Sequence, residues 1–294
     1  MQTTFPLYSI GHFINQPYNR TEFELLRFEQ MVEPDVDDPH RHTFYEVIWI
    51  DSGESRQAID YTEYELSPQS LFFISPGQLH FFEEWEPLIG GSILFTENFF
   101  LLNHQDKDKL FELSFLDNFY ANSLLKPSAE NFADIRHTIE LLCREQSRND
   151  RSTAIGQSLL HVLLTQIQRC VDVQSGQAYS RKYVILYKKL KNLLDQHFSE
   201  NWPVSSYADK LNITQHPLNL VCKQVTGKTA SDVVRSRSML EAKRLLTFTD
   251  LTVSEVATRL NFLDSSYFAR VFRSETGQSP VTFKQVMSEK YRVK

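Results

Sequence analysis

Cysteine is scarce in this chain. The three present, Cys143, Cys170 and Cys222, stand far apart and form no C-x-x-C pair. That argues against a disulfide framework and against a cysteine-based zinc site, and it points to a reducing compartment, the cytoplasm. Long apolar runs are lacking too, and none approaches the roughly 20 residues needed to cross a bilayer. The opening stretch MQTTFPLYSIGHF carries neither a basic segment nor an apolar core, so neither a signal peptide nor a membrane partner is expected. Ser-His-Asp arrangements, Gly-rich phosphate loops and H-E-x-x-H pairs are missing as well. The chain is read as a non-enzyme, with no catalytic residue, no cofactor and no metal.

What is present is a lopsided charge. The formal net charge of −6 is unremarkable in itself. From Arg181 to the end, however, 19 Lys and Arg face 10 Asp and Glu, whereas before Arg181 only 12 face 27. A chain of 294 residues suggests two domains. An acidic part joined to a basic part suggests that the basic one meets a polyanion.

Between His42 and Phe95 short β-prone runs (FYEVIWI, RQAIDYTEYEL, LFFISPGQLHFF, GGSILF) alternate with turn residues. This is the pattern of an antiparallel barrel or sandwich, with Trp49, Trp85 and the many phenylalanines as its core. After about Asn98 the apolar spacing changes to three and four. Phe132, Ile135, Ile139 and Leu142 follow it, and so do Ile155, Leu159, Val162, Leu163, Ile167 and Cys170. Such spacing predicts amphipathic helices. The polar stretch DVQSGQAYSR reads as a linker between domains. The expected organisation is a domain over 1–171, a linker over 172–182 and an all-helical domain over 183–294.

The helical part contains an internal repeat. Val204, Ser205, Ala208, Leu211 and Asn212 match Val253, Ser254, Ala257, Leu260 and Asn261. One residue is then inserted, after which Leu218, Cys222, Lys223, Thr226 and Gly227 match Phe268, Phe272, Arg273, Thr276 and Gly277. Each copy reads as a short helix, a turn, and a second helix ended by glycine: a helix-turn-helix pair, twice. Asp264 and Thr214 are the expected N-caps of the second helices. Pro217 falls in a first turn, where its missing N–H costs little. Phe268 and Phe272 lie one turn apart and share a buried face. Ser265, Ala269 and Arg270 point elsewhere, with Ser266 at the edge. A helix so anchored fits a DNA major groove, where Arg270 can bond guanine O6 and N7 together. Arg273, near the helix end, is placed for a phosphate.

These blocks resemble the AraC/XylS family of transcription regulators. The resemblance rests on YADKLNI (207–213), RSRSMLEAKRLL (235–246), SEVATRLNF (254–262) and SYFARVFRSETGQSP (266–280), and covers about the last 110 residues. It implies two helix-turn-helix units joined by one long helix, about Ala230–Leu246, with duplex DNA as the partner. It also implies RNA polymerase as a partner if the protein activates. The chain departs from the family at Asn261, where glycine is usual, at Cys222, where an aromatic is usual, at Ala230, often proline, and at Leu220, often basic. The first reading helix then offers Gln215, His216, Asn219 and Lys223, with no base-facing arginine.

HRHTFYEVIWIDSG resembles the cupin-type effector domain that often precedes this pair. The implied fold is a cupin-like antiparallel β-barrel followed by α-helices, then the all-α double helix-turn-helix domain. His40, His42 and Glu46 follow the spacing H-x-H-x3-E, and His80 sits in PGQLH. On a strand, 40, 42, 44 and 46 share one face. Metal-dependent cupin enzymes use such a set, but in a regulator it is read as retained framework, with His42, Glu46 and His80 lining the pocket of an unidentified small-molecule effector. Helix 155–171 either packs within its own domain or meets its twin in a homodimer. Two alternatives stay open: a metal-dependent cupin enzyme with a DNA-binding tail, and a constitutive DNA-binding protein whose barrel only dimerises.

Overall fold

The computed structural model describes residues 6–32, 36, 39–60, 62–82, 87–101, 110, 113–116, 123–175 and 181–291. Trp85 and the linker positions 176–180 lie outside them. The chain divides into two compact units, Phe5–Ala178 and Tyr179–Lys294. No described helix is long and apolar enough to cross a membrane.

The first unit is strand-rich. Its strands are β1 (Leu7–Tyr8), β2 (Phe23–Arg27), β3 (Arg41–His42), β4 (Tyr45–Ser52), β5 (Ser55–Ile59), β6 (Thr62–Leu66), β7 (Ser70–Ile74), β8 (His80–Phe82), β9 (Ile89–Phe95) and β10 (Leu124–Leu125). They form a five-stranded antiparallel sheet in the order β10-β7-β4-β9-β2, a three-stranded antiparallel sheet in the order β6-β5-β8, and a small parallel β1-β3 pair. The chain crosses between the two larger sheets after β4, β6, β7 and β8, so the expected barrel is built as two facing sheets. Alternation then decides what each strand buries. On β4, Ile48 and Ile50 face inward and share a core with Phe72 and Ile74 of the same sheet and with Ile59 and Leu66 of the other.

Val47 and Trp49 point the opposite way, into a second core roofed by two helices, α3 (Ala129–Gln146) and α4 (Thr153–Ser175). Trp49 is thus core, but between sheet and helices rather than between the sheets. Its ring lies over Gly91, where a Cβ would come within 2.5 Å of the indole. Asp51 fastens the arrangement, accepting from the Trp49 indole N–H at 3.2 Å and from Arg136 of α3 at 2.6 Å.

Phe132, Ile135, Ile139 and Leu142 of α3 are all buried. On α4, Leu163, Ile167 and Cys170 are buried, but Ile155 and Val162 stay 49% and 47% exposed, so the expected stripe divides between two faces. α4 continues through Asp172–Ser175, and the next helix begins at Arg181.

The second unit is all helix: α5 (Arg181–His197), α6 (Val204–Lys210), α7 (Gln215–Thr226), α8 (Ala230–Phe248), α9 (Val253–Arg259), α10 (Ser265–Thr276) and α11 (Pro280–Tyr291). The pairs α6–α7 and α9–α10 are the two repeats, and α8 joins them. Gly227 and Gly277 end α7 and α10 at φ of 73° and 80°, the left-handed region where a side chain is strained. Asn212 and Asn261 hold the two turns at φ of 54° and 55°. Asparagine tolerates this conformation, and Asn261 adds what glycine could not: its amide donates to the Glu200 carbonyl at 3.0 Å. Thr229 and Thr252 close capping boxes with Asp232 and Glu255 at the starts of α8 and α9. Inside, Arg237 of α8 is 5% exposed; it donates to Asp195 of α5 at 2.7 Å and lies 3.9 Å over the Phe198 ring.

Candidate functional site

The two second helices of the repeat share a design. Leu218, Val221 and Cys222 bury one side of α7; Phe268 and Phe272 bury one side of α10. Phe272 meets Phe283 of α11 edge-on, with centroids 5.3 Å apart. The opposite sides are open. Gln215, His216 and Lys223 are exposed on α7, and Ser265, Ser266, Arg270 and Arg273 on α10, with Ala269 half-buried among them. Arg270 lies 5.9 Å over the ring of Tyr267, itself 52% exposed. A guanidinium resting on an aromatic face is held partly ordered.

Two expectations change. Asn219 is half-buried, and its side-chain oxygen accepts from the Ala230 backbone N–H at 3.0 Å, at the start of α8. That oxygen is one of the two atoms a bidentate adenine contact uses, so Asn219 serves the helix junction. Thr214 stands at the N-cap position of α7 with extended backbone but makes no capping hydrogen bond. One of the two N–H groups such a cap can take is missing here, because the third helical residue is Pro217. Asp264 does cap α10, accepting from Ser266 at 2.9 Å and Tyr267 at 3.1 Å.

Two further residues lie on the open sides: Leu220, already marked as a departure from the family, and Tyr267, not singled out from the sequence. Leu220 is 41% exposed on the open side of α7, where an apolar side chain can meet a thymine methyl. Tyr267, next in sequence to the Phe268–Phe272 anchor, stays outside it. Both could be found by projecting the helices, since each lies off the Leu218–Cys222 or Phe268–Phe272 stripe.

In the strand-rich unit His42, Glu46 and His80 come together, their ligand-type atoms all within 4.8 Å of one another. They are 0%, 5% and 2% exposed. Glu46 Oε2 lies 3.5 Å from His42 Nε2 and 4.0 Å from His80 Nε2. The His40 ring stands against His80 with centroids 4.4 Å apart, and the His42 ring stacks on Phe44 at 3.9 Å. Burial pushes both imidazoles down from their ordinary range; the neighbouring histidines add to this at His80, and Glu46 opposes it at His42. Neither nitrogen of His42 has a hydrogen bond of ordinary geometry.

A fourth polar group was not anticipated. Gln57 of β5 is fully buried, with neither amide atom hydrogen-bonded. Register puts it on the inward face: Ile59, two residues on, pairs with His80, and Gln57 itself pairs with Phe82. An unpartnered buried amide costs about 1–3 kcal/mol. A separate cavity of about 260 Å³ lies elsewhere in this unit, where Arg20 and Phe23 meet the start of α4.

Comparison with known proteins accounts for both units. An AraC-like ligand-binding domain family matches residues 23–164, and a helix-turn-helix domain family matches residues 207–285. The transcriptional activator RhaR of Cronobacter sakazakii is 26% identical over 250 residues, 84% of this chain and 86% of that protein. The activator RhaS of Escherichia coli O81 is 23% identical over 261 residues, 86% of this chain and 89% of that one. Among solved structures, ToxT from Vibrio cholerae with a bound unsaturated fatty acid is 16% identical over 90% of this chain and 96% of its own, with a TM-score of 0.39. The chain, an AraC-like ligand-binding domain followed by a doubled helix-turn-helix, belongs to the AraC family of DNA-binding transcriptional regulators.

Proposed function

We propose that this regulator is an effector-controlled cytoplasmic activator, without catalytic activity, whose α7 and α10 enter successive major grooves. The observation that carries the reading is the pair of matched helices, each anchored by buried apolar residues and open on its other side. Arg270 reads a guanine, Arg273 and Lys223 hold phosphates, and Gln215, His216, Ser265, Ser266 and Ala269 complete the two faces. The small-molecule effector occupies the polar end of the inter-sheet core, at His42, Glu46 and His80. Ile155 and Val162, half-exposed on α4, support a homodimer through that helix. As an activator it has RNA polymerase as a further partner.

The test is selection of bound sequences from random duplex DNA by the full chain, with and without candidate metabolites. An enriched two-part site with its halves about one helical turn apart is expected. Affinity falls steeply with salt, because phosphate neutralisation releases counterions. Absence of enrichment, or binding indifferent to salt, would overturn the reading. A site whose affinity no metabolite changes would favour a constitutive binder.

A further inference from the structure

We propose that His42, Glu46 and His80 bind one divalent first-row transition-metal ion inside the strand-rich unit. The proposal deepens the reading of that unit as the sensing domain, on which it rests, and departs from the metal-free framework expected from the sequence.

The donor set is two imidazole nitrogens and one carboxylate oxygen, which suits zinc, iron, cobalt or nickel and not magnesium or calcium. Four-coordinate metal with bonds of about 2.1 Å sets its ligand atoms about 3.4 Å apart. Glu46 Oε2 already lies 3.5 Å from His42 Nε2 and 4.0 Å from His80 Nε2. All three ligand atoms lie within 4.8 Å of one another, so the set closes on an ion by movements of about an ångström or less. These separations are too long for good hydrogen bonds, so the three side chains do not satisfy one another. Neither nitrogen of His42 has a hydrogen bond of ordinary geometry although the residue is fully buried, the Glu46 carboxylate standing 3.5 Å off.

The supports are rigid. Glu46 is fixed in the middle sheet by pairing with Ile74 on one side and Leu94 on the other. His80 is fixed opposite Ile59. Gln57 is an independent observation. It is an unpartnered amide, fully buried, on the inward face two residues along the strand from Ile59, which pairs with His80. A dication on one carboxylate and two neutral imidazoles leaves one positive charge and open coordination positions, so a small oxygen-donor molecule is the chemistry such a centre draws.

The full-length chain, stripped with a chelator, is titrated with Zn(II) by calorimetry and followed by thermal unfolding, with Mg(II) as the contrast. One Zn(II) per chain and a raised melting temperature are expected, with no effect of Mg(II). Glu46→Gln and His80→Gln stay close to the native side-chain volumes and should each weaken Zn(II) binding by about 100-fold or more. If one variant fails to fold, the other gives the answer. Absence of stoichiometric Zn(II) uptake overturns the proposal. So does uptake unchanged in the variants, since the ion then sits elsewhere. Neither result touches the DNA selection above, which needs no metal, so the two readings fail separately.

Discussion

Asp264→Ala should destabilise the helical unit by about 1.5 kcal/mol, while Thr214→Ala, at the matching position of the first repeat, should cost about 0.3 kcal/mol or less. The two residues occupy the same place in homologous elements, yet they do different things. Asp264 accepts two backbone N–H groups, at 2.9 and 3.1 Å, at the start of α10. A side-chain cap is worth about 1 kcal/mol, and a carboxylate at a helix N-terminus adds about 0.3–1 kcal/mol through the helix dipole. Thr214 makes no such bond, and the proline at 217 removes one of the two N–H groups it could accept. The assay is urea unfolding of a fragment starting at Arg181, followed by helical circular dichroism. With a slope of about 1.5 kcal/mol per molar urea, the midpoint should fall by about 1 M for Asp264→Ala and hardly move for Thr214→Ala. Asp264→Asn keeps the acceptor and loses only the charge, so it should fall between. Equal losses for the two alanine variants would refute the reasoning.

Other expectations follow from the same contacts. Arg270→Ala should relax specificity at one base pair and cost about 1–3 kcal/mol there, whereas Arg273→Ala should weaken all sequences alike; a panel of selected sites separates the two. Arg237→Ala breaks the charged tie between α5 and α8 and its packing on Phe198, while Asp195 stays solvated and Glu241 keeps Arg244, so about 1.5–3 kcal/mol of stability should be lost in denaturant titration. Burial pushes the Cys222 thiol and the Tyr207 phenol up to about 12. Each therefore ionises in the unfolded chain first, so stability is full below the unfolded values and falls as pH rises past about 8.5 for the thiol. Cys222→Ala should flatten that alkaline slope, whatever its effect at neutral pH.

How far these sites were legible in the sequence depended on whether the signal was local. The repeat announced α6–α7 and α9–α10 because each position in it answers to a local need: alanine at a close crossing, a left-handed residue in the turn, glycine at the helix end. The anchoring role of Phe268 and Phe272 followed from spacing alone. What spacing could not say was which polar side chains were already engaged. Asn219 looks free on a helical wheel, but its oxygen serves a backbone N–H eleven residues away, across the next turn. Thr214 looks like a cap, but the proline three residues on removes one of the N–H groups it could accept, and that much was available in the sequence. The strands β2 and β10 escaped because neither lies in the alternating run between His42 and Phe95; both owe their places to pairing with distant partners, β9 and β7.

The inter-sheet cluster shows the same division. H-x-H-x3-E suggests one strand face for His42 and Glu46, but the strand breaks at Thr43–Phe44, leaving His42 on β3 and Glu46 on β4, and only the crossing of the chain between sheets brings His80 within reach of Glu46. Gln57 gave no signal at all, since a glutamine on a strand is ordinarily an outward residue. Its burial follows from register: Ile59 must face inward to join Ile48 and Ile74, and a period of two then carries Gln57 inward with it. A polar residue forced inward by its neighbours' hydrophobicity is costly unless something meets it. That cost, borne beside three buried groups that do not satisfy one another, distinguishes this end of the core from the closely packed isoleucines and phenylalanines that fill the rest.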